Sequence, residues 1–77
     1  MEEIRSDRKI DLRGVSCPLN YVKTKLKLEE MEAGQVLEVL LDDGESIISV
    51  PRSAKEDGFR IVRIEQVEDH FKLLLGV

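Results

Sequence analysis

The spacing of apolar residues along the chain switches between a period of two and a helical period, and each switch marks a predicted element. Near the start, "RKIDLRG" alternates Ile10 and Leu12 with polar neighbours and then meets a glycine, which predicts a short first strand ending at Gly14. Helical spacing takes over at about Pro18 and runs to about Met31 or Glu32, with Gly34 just beyond. Pro18 suits the first helical position, where a missing N–H costs nothing, so the pattern predicts Cys17 as the N-cap. This helix carries two apolar stripes, one of Tyr21, Leu28 and Met31 with Thr24, the other of Leu19, Val22 and Leu26. Two stripes predict packing against a sheet and also against a neighbouring helix; the other reading makes one stripe a docking surface for another protein.

"QVLEVLLDD" is the clearest strand, with Leu37, Val39 and Leu41 on one face and Val36, Glu38 and Leu40 on the other, and its apolar content predicts a central position. "DDGESIISVPRSAKEDG" reads as a turn and a second helix closed by Gly58. Pro51 is awkward inside a helix, so it is expected to start the main turns, with Ser49 or Val50 just before it. The remainder predicts strands over about Arg60–Val67 and Phe71–Leu75 joined by a tight connection at Glu68–His70, a β-hairpin. The order β-α-β-α-β-β predicts an α/β two-layer sandwich: a four-stranded mixed sheet with two helices on one face.

Length and charge narrow the functions open to such a fold. The 77 residues are expected to form one domain, with residues 1–8 loosely ordered. A chain of this size buries only about 60% of its unfolded surface, so function is expected on the surface rather than in a deep cavity. Composition is that of a folded domain, 42% hydrophobic and 36% charged. With a net charge of -4 and its basic residues scattered, the sequence offers no electrostatic footprint for direct nucleic-acid binding. The charged start "MEEIRSDRK" and the lack of a long apolar run argue against a secretory signal, an anchor or membrane association, and predict a cytoplasmic protein, monomeric when isolated.

There is one cysteine, Cys17, which rules out an internal disulfide, and no Cys/His cluster suggests a zinc site. No resident metal or cofactor is expected. A free thiol is only slightly ionised at neutral pH, but at a helix N-terminus the unpaired N–H groups and the helix dipole favour an anion. Arg13, close in sequence, could add a full positive charge; the same setting would favour a persulfide anion. Pro18 would fix the angle at which the sulfur leaves the helix, and Gly14 would allow a sharp bend behind it. The bland alternative is a buried structural cysteine, a common fate of unpaired thiols.

The stretch "DLRGVSCPL", Asp11 to Leu19, resembles the TusA/SirA family of small sulfur-carrier proteins, whose signature is D-x-R-G-x-x-C-P. "GQVLEVLLDDGES", Gly34 to Ser46, is similar to the second strand and following turn of that family, and the resemblance extends from about Ile10 to Leu75. It implies that Cys17 receives a sulfane sulfur as a persulfide from a donor enzyme, a cysteine desulfurase or rhodanese-like protein, and passes it to an acceptor protein. The relay would serve tRNA thiolation, cofactor assembly or sulfur metabolism, by a sulfurtransferase-type carrier rather than a stand-alone turnover enzyme. It further implies Pro18 as a positioning residue and Asp11, Arg13 and Gly14 as support for the loop, although Asp11 and Arg13 could simply pair with each other. One position departs from the family: "CPLN" places Asn20 where the pattern C-P-x-P has its second proline. The asparagine returns an N–H to the first helical turn and is expected to put a polar side chain beside the sulfur. The alternative function is a non-catalytic regulatory or protein-binding module with a structural cysteine.

Other candidates have plainer readings. Asp42, Asp43 and Glu45 lack calcium-loop spacing and are expected to form the turn and cap the second helix. His70 is expected to be a solvated turn residue. Ser16 could bond the sulfur or cap a neighbouring N–H. Lys23, Lys25 and Lys27 are expected to form a solvated face balanced by Glu29, Glu30 and Glu32.

Overall fold

The structure, a computed structural model, describes residues 6–16 and 19–77. The chain runs β1 (Arg8–Asp11), α1 (Leu19–Glu29), β2 (Val36–Asp42), α2 (Glu45–Glu56), β3 (Arg60–Val67) and β4 (His70–Gly76). The strands form one mixed sheet in the order β1-β2-β4-β3, so α2 carries the chain across β4 to the far edge. This is the two-layer α/β sandwich that the element order predicts.

β2 is an inner strand whose helix-side face is wholly apolar. Leu37, Val39 and Leu41 are fully buried on the helix side, with Leu73 and Leu75 of β4 beside them, and Leu40 is nearly as buried on the other. β1 pairs parallel to β2, with Ile10 opposite Val39 and Asp11 opposite Leu40. β4 pairs antiparallel to β2, with Leu41 opposite Phe71 and Asp42 opposite His70. The parallel β1/β2 pair brings the C-terminal ends of both strands to the same end of the sheet, where open α/β sheets carry their functional loops.

The expected hairpin forms over β3 and β4, but its connection is shorter than predicted. Val67 pairs with His70, leaving Glu68 and Asp69 as a two-residue turn in which Glu68 takes a positive φ of 54°. His70 is therefore the first residue of β4 and not a solvated turn residue; its side chain is only 13% exposed. Pairing with Asp42 on one side and Val67 on the other draws it into the sheet.

The expected start of the second helix is also corrected. α2 begins at Glu45 and runs through Pro51, which is buried together with Val50 and Ala54. Proline has no N–H to give the carbonyl one turn back, a real cost. The apolar row Ile47, Val50, Pro51 and Ala54 at helical spacing packs on the core, and burial of that face outweighs the lost bond. α2 stops at Glu56, and Gly58 closes it as expected: its N–H reaches the Lys55 carbonyl at 3.1 Å with φ at 91°.

α1 buries Asn20, Thr24 and Leu28 toward the sheet, followed by Met31 in the turn beyond it. Regular helix stops at Glu29, and the N–H groups of Glu30 and Met31 reach back only three residues, to Lys27 and Leu28, tightening the end. The expectation that the second stripe packs on a neighbouring helix is not met: Leu19, Val22 and Leu26 are 55%, 46% and 57% exposed. α1 meets α2 through polar groups on its flank, where the Tyr21 hydroxyl donates to Asp57 Oδ2 at 2.5 Å and Lys25 Nζ lies 3.6 Å from the same oxygen. Once one face is on the sheet and one flank on α2, the 3.6-residue repeat leaves the second stripe pointing outward.

At the N-terminus, Asp7 and Arg8 are better anchored than the expected loose order of residues 1–8. The Asp7 N–H donates to the Val36 carbonyl at 2.7 Å, its carboxylate accepts from the Val36 N–H at 2.8 Å, and Arg8 opens β1. Residues 1–5 lie outside the described residues. Among the described residues, no helix is long and apolar enough to cross a membrane.

Candidate functional site

The candidate site lies where β1 and β2 end and both helices begin. β1 stops at Asp11, short of the expected Gly14, but Leu12 remains held: its side chain is 2% exposed and its N–H donates to the Leu40 carbonyl at 2.9 Å. The chain then turns sharply, closed by a hydrogen bond from the Val15 N–H to the Leu12 carbonyl at 3.1 Å. Gly14, third in this turn, sits at φ 83°, a backbone conformation that glycine adopts without strain. Val15 packs against the core, and the exposed Ser16 offers its carbonyl to the Asn20 N–H at 3.1 Å, one helical turn on.

Each amide from Leu12 to Val15 has a partner, and two of these partners are carboxylates. The Arg13 N–H donates to Asp11 Oδ1 at 3.1 Å, and the Gly14 N–H donates to Asp42 Oδ2 at 2.6 Å. The Arg13 side chain also turns back onto Asp11, forming an ion pair at 2.9 Å. Its guanidinium is thus engaged by a carboxylate of its own strand, the plainer of the two roles the sequence leaves open for it. Arg13's donors hold the Asp11 carboxyl down at about 2.

Of the residues singled out from the sequence, the structure brings Asp11, Arg13 and Gly14 together on one turn. Cys17 and Pro18, with the predicted N-cap role of the one and positioning role of the other, lie outside the described residues. The described chain resumes at Leu19, where α1 begins.

Asn20 turns inward and is fully buried: Nδ2 donates to Ser46 Oγ in the first turn of α2 at 3.0 Å, and Oδ1 accepts from the Tyr21 N–H at 2.7 Å. The Thr24 hydroxyl, also buried, donates to the Asn20 carbonyl at 2.8 Å. A primary amide inside a protein is retained only where its donors and acceptor find partners, and Ser46 supplies one.

The acidic turn does not cap α2 as expected. Gly44 stands at the N-cap with φ 109° and no side chain bonds the first-turn amides. The carboxylate of Asp42 is directed across to Gly14 instead. Asp42, Asp43, Glu45 and Ser46 form one wall of a cleft of about 350 Å³, with Gly14, Val15 and Ser16 as the other. Ser46 is a contributor that the sequence does not single out, and Asp42 takes a different role from the one expected of it. The signal was the predicted βαβ unit itself, since parallel strands place the residues after β2 beside those after β1.

His70 and Asp69 lie near the same end of the sheet. His70 Nδ1 is 3.2 Å from Asp69 Oδ1, and this contact lowers the Asp69 pKa, with smaller electrostatic help from Arg13. The lysine row is partly tied down: besides the Lys25–Asp57 pair, Lys27 Nζ lies 3.6 Å from Glu30 Oε1.

This two-layer sandwich has known counterparts. Its backbone is similar to the crystal structure of a SirA-like protein from Desulfitobacterium hafniense, with a TM-score of 0.78 and 27% identity over 91% of this chain and 96% of the other. In sequence it is 36% identical over 74 residues to an Archaeoglobus fulgidus protein named "Putative sulfur carrier protein", covering 95% of this chain and 84% of that one. It is 32% identical over 66 residues to Escherichia coli YedF, which bears the same description, covering 86% of each. Residues 8–77 match the family described as "Sulfurtransferase TusA". The chain belongs to the TusA sulfurtransferase family.

Proposed function

We propose that this protein is a cytoplasmic sulfur carrier in which Cys17 is the site of loading. The thiolate of Cys17 attacks the terminal sulfur of a persulfide on a donor enzyme, a cysteine desulfurase or rhodanese-like protein. A new S–S bond forms to Cys17 as the donor's S–S bond breaks, and the donor cysteine leaves as its thiolate, so no external oxidant or reductant is consumed. The same exchange, run toward an acceptor protein, unloads the sulfur into tRNA thiolation, cofactor assembly or sulfur metabolism. The carrier needs no cofactor of its own and works as a monomer between partners.

The observation that carries this reading is the position of the chain's only cysteine. In sequence it directly follows Ser16, which lines the cleft, and it precedes α1, so the positive end of that helix dipole is the end next to Cys17 in the chain. With no second cysteine to resolve the persulfide, transfer waits for a partner. Pro18 acts as a positioning residue, and Asp11, Arg13 and Gly14 shape the turn behind the sulfur.

Intact-mass measurement after incubation with a cysteine desulfurase, pyridoxal phosphate and cysteine tests it. The expected result is a reducible gain of one sulfur atom that disappears in Cys17→Ala. No gain with any of several donors would overturn the reading. The exposed row Leu19, Val22 and Leu26 favours the second reading, a protein-binding module with an inert cysteine. That reading expects a thiol that resists alkylation until the protein is denatured, whereas the carrier expects rapid alkylation of the native protein below pH 8.

A further inference from the structure

Two long-range hydrogen bonds join Gly14 and Asn20, one on each side of Cys17 in the sequence, to one short turn. Three positions before Cys17, the Gly14 N–H is held by Asp42 Oδ2 at 2.6 Å; three positions after it, Asn20 Nδ2 is held by Ser46 Oγ at 3.0 Å. The partners are 28 and 26 residues apart in sequence, yet both anchors belong to the passage from the end of β2 into the first turn of α2.

Neither anchor is spent on the usual task of its position. α2 starts from Gly44 without a side-chain cap, so the Asp42 carboxylate and the Ser46 hydroxyl both reach across to the neighbouring segment. The bond to Gly14 is charge-assisted and short, and the one to Asn20 satisfies an amide that is completely buried. Because β2 is an inner strand and α2 packs on the core through Val50 and Ala54, the Asp42–Ser46 passage is tied to the core on both sides.

We propose that Asp42 and Ser46 are positioning residues for sulfur transfer, acting through Gly14 and Asn20 to fix both ends of the Gly14–Asn20 segment against the head of α2. The proposal rests on the carrier reading. A sulfur passed between proteins must be presented at a reproducible place, and a segment clamped at both ends loses less freedom when a partner docks than one held at a single end. Because both clamps act on the same segment, their effects couple.

The test uses the full chain with Asp42→Ala, Ser46→Ala, the double substitution, and the conservative Asp42→Asn and Ser46→Thr. Circular dichroism and thermal unfolding establish that each variant is folded. Two readouts follow: the alkylation rate of Cys17 as a function of pH, which needs no donor, and the rate of sulfur gain from a cysteine desulfurase. Each alanine variant is expected to lower the loading rate about threefold to tenfold, the scale set by one ordinary hydrogen bond. Its alkylation profile moves toward that of the denatured chain. Asp42→Asn and Ser46→Thr, which keep an acceptor oxygen, restore most of both.

The double variant should differ from the product of the single effects. Hydrogen exchange of the Gly14 amide should quicken in Asp42→Ala and stay slow in Asp42→Asn; should Asp42→Ala fail to fold, Ser46→Ala against Ser46→Thr makes the same comparison at the other clamp. Alkylation and loading unchanged in the double variant would overturn the positioning role while leaving the carrier reading intact. A wild-type protein that gains no sulfur overturns the carrier reading instead.

Discussion

The guanidinium of Arg13 grips the carboxylate of Asp11 through two hydrogen bonds, Nε to Oδ1 at 3.0 Å and Nη2 to Oδ2 at 2.9 Å, while its backbone N–H donates to Oδ1 as well. Three donors on one exposed carboxylate favour its ionised form strongly and lower its pKa from an ordinary 3.8 to about 2. A depressed carboxyl pKa adds to the folded state above its unfolded value, and the contribution fades as pH falls through the folded one. The order of the Asp11–Gly14 turn should therefore hold down to about pH 4 and fail between there and about pH 2. A carboxyl-detected NMR titration checks this, and Arg13→Ala should return Asp11 toward its ordinary value.

On the alkaline side the sensitive group is Tyr21. Burial, and then the hydrogen bond its hydroxyl gives Asp57, push its pKa above the ordinary 10.0, because ionised Tyr21 would face a carboxylate. A raised pKa contributes stability that is present below the unfolded value and lost as pH rises above it. Wild type should thus lose stability above about pH 10 more steeply than Tyr21→Phe. Removing the hydroxyl should also let Asp57, now held low chiefly by Tyr21, titrate nearer its usual range. Urea unfolding across pH and an NMR titration of Asp57 measure the two effects.

Gly14→Ala tests the turn behind the cysteine. An added methyl would meet no atom within 4 Å, so the whole cost is backbone strain at φ +83°. That cost is about 1–2 kcal/mol, and Gly14→Asn should cost less. Thermal or urea unfolding gives the number. A result within error of wild type would mean that the turn relaxes.

Core and outward-facing positions should separate cleanly. Leu73→Ala, at a fully buried site between β2 and β3, should destabilise by about 2–5 kcal/mol, whereas Leu26→Ala on the exposed row should change stability by less than about 0.5 kcal/mol. Urea midpoints at constant slope make the comparison. A large loss at Leu26 would mean that its row is covered in solution.

Much of this architecture is legible in the chain because its signals are local. Leu37, Val39 and Leu41 at alternate positions of "QVLEVLLDD" mark a strand with one fully buried face, and the glycines at 14, 34 and 58 mark turns that all take positive φ. The helical row through Ile47, Val50, Pro51 and Ala54 is legible too, but the proline within it points to a later start of α2 than the Glu45 at which burial of that row begins the helix. The hairpin connection is one residue shorter than the sequence predicts, because His70 is polar enough to pass for a turn residue while its strand pairing is set by Asp42 and Val67.

What the sequence determines by itself is the order of elements, the sheet they must make, and a lone cysteine set between a turn and a helix. Only tertiary packing decided that Asp42 serves Gly14 rather than α2, that Asn20 turns inward to Ser46, and that Leu19, Val22 and Leu26 face outward. The reason is range: periodicity and turn chemistry act over a few residues, whereas the Gly14–Asp42 and Asn20–Ser46 bonds join groups 28 and 26 positions apart whose meeting depends on how two helices settle on one sheet.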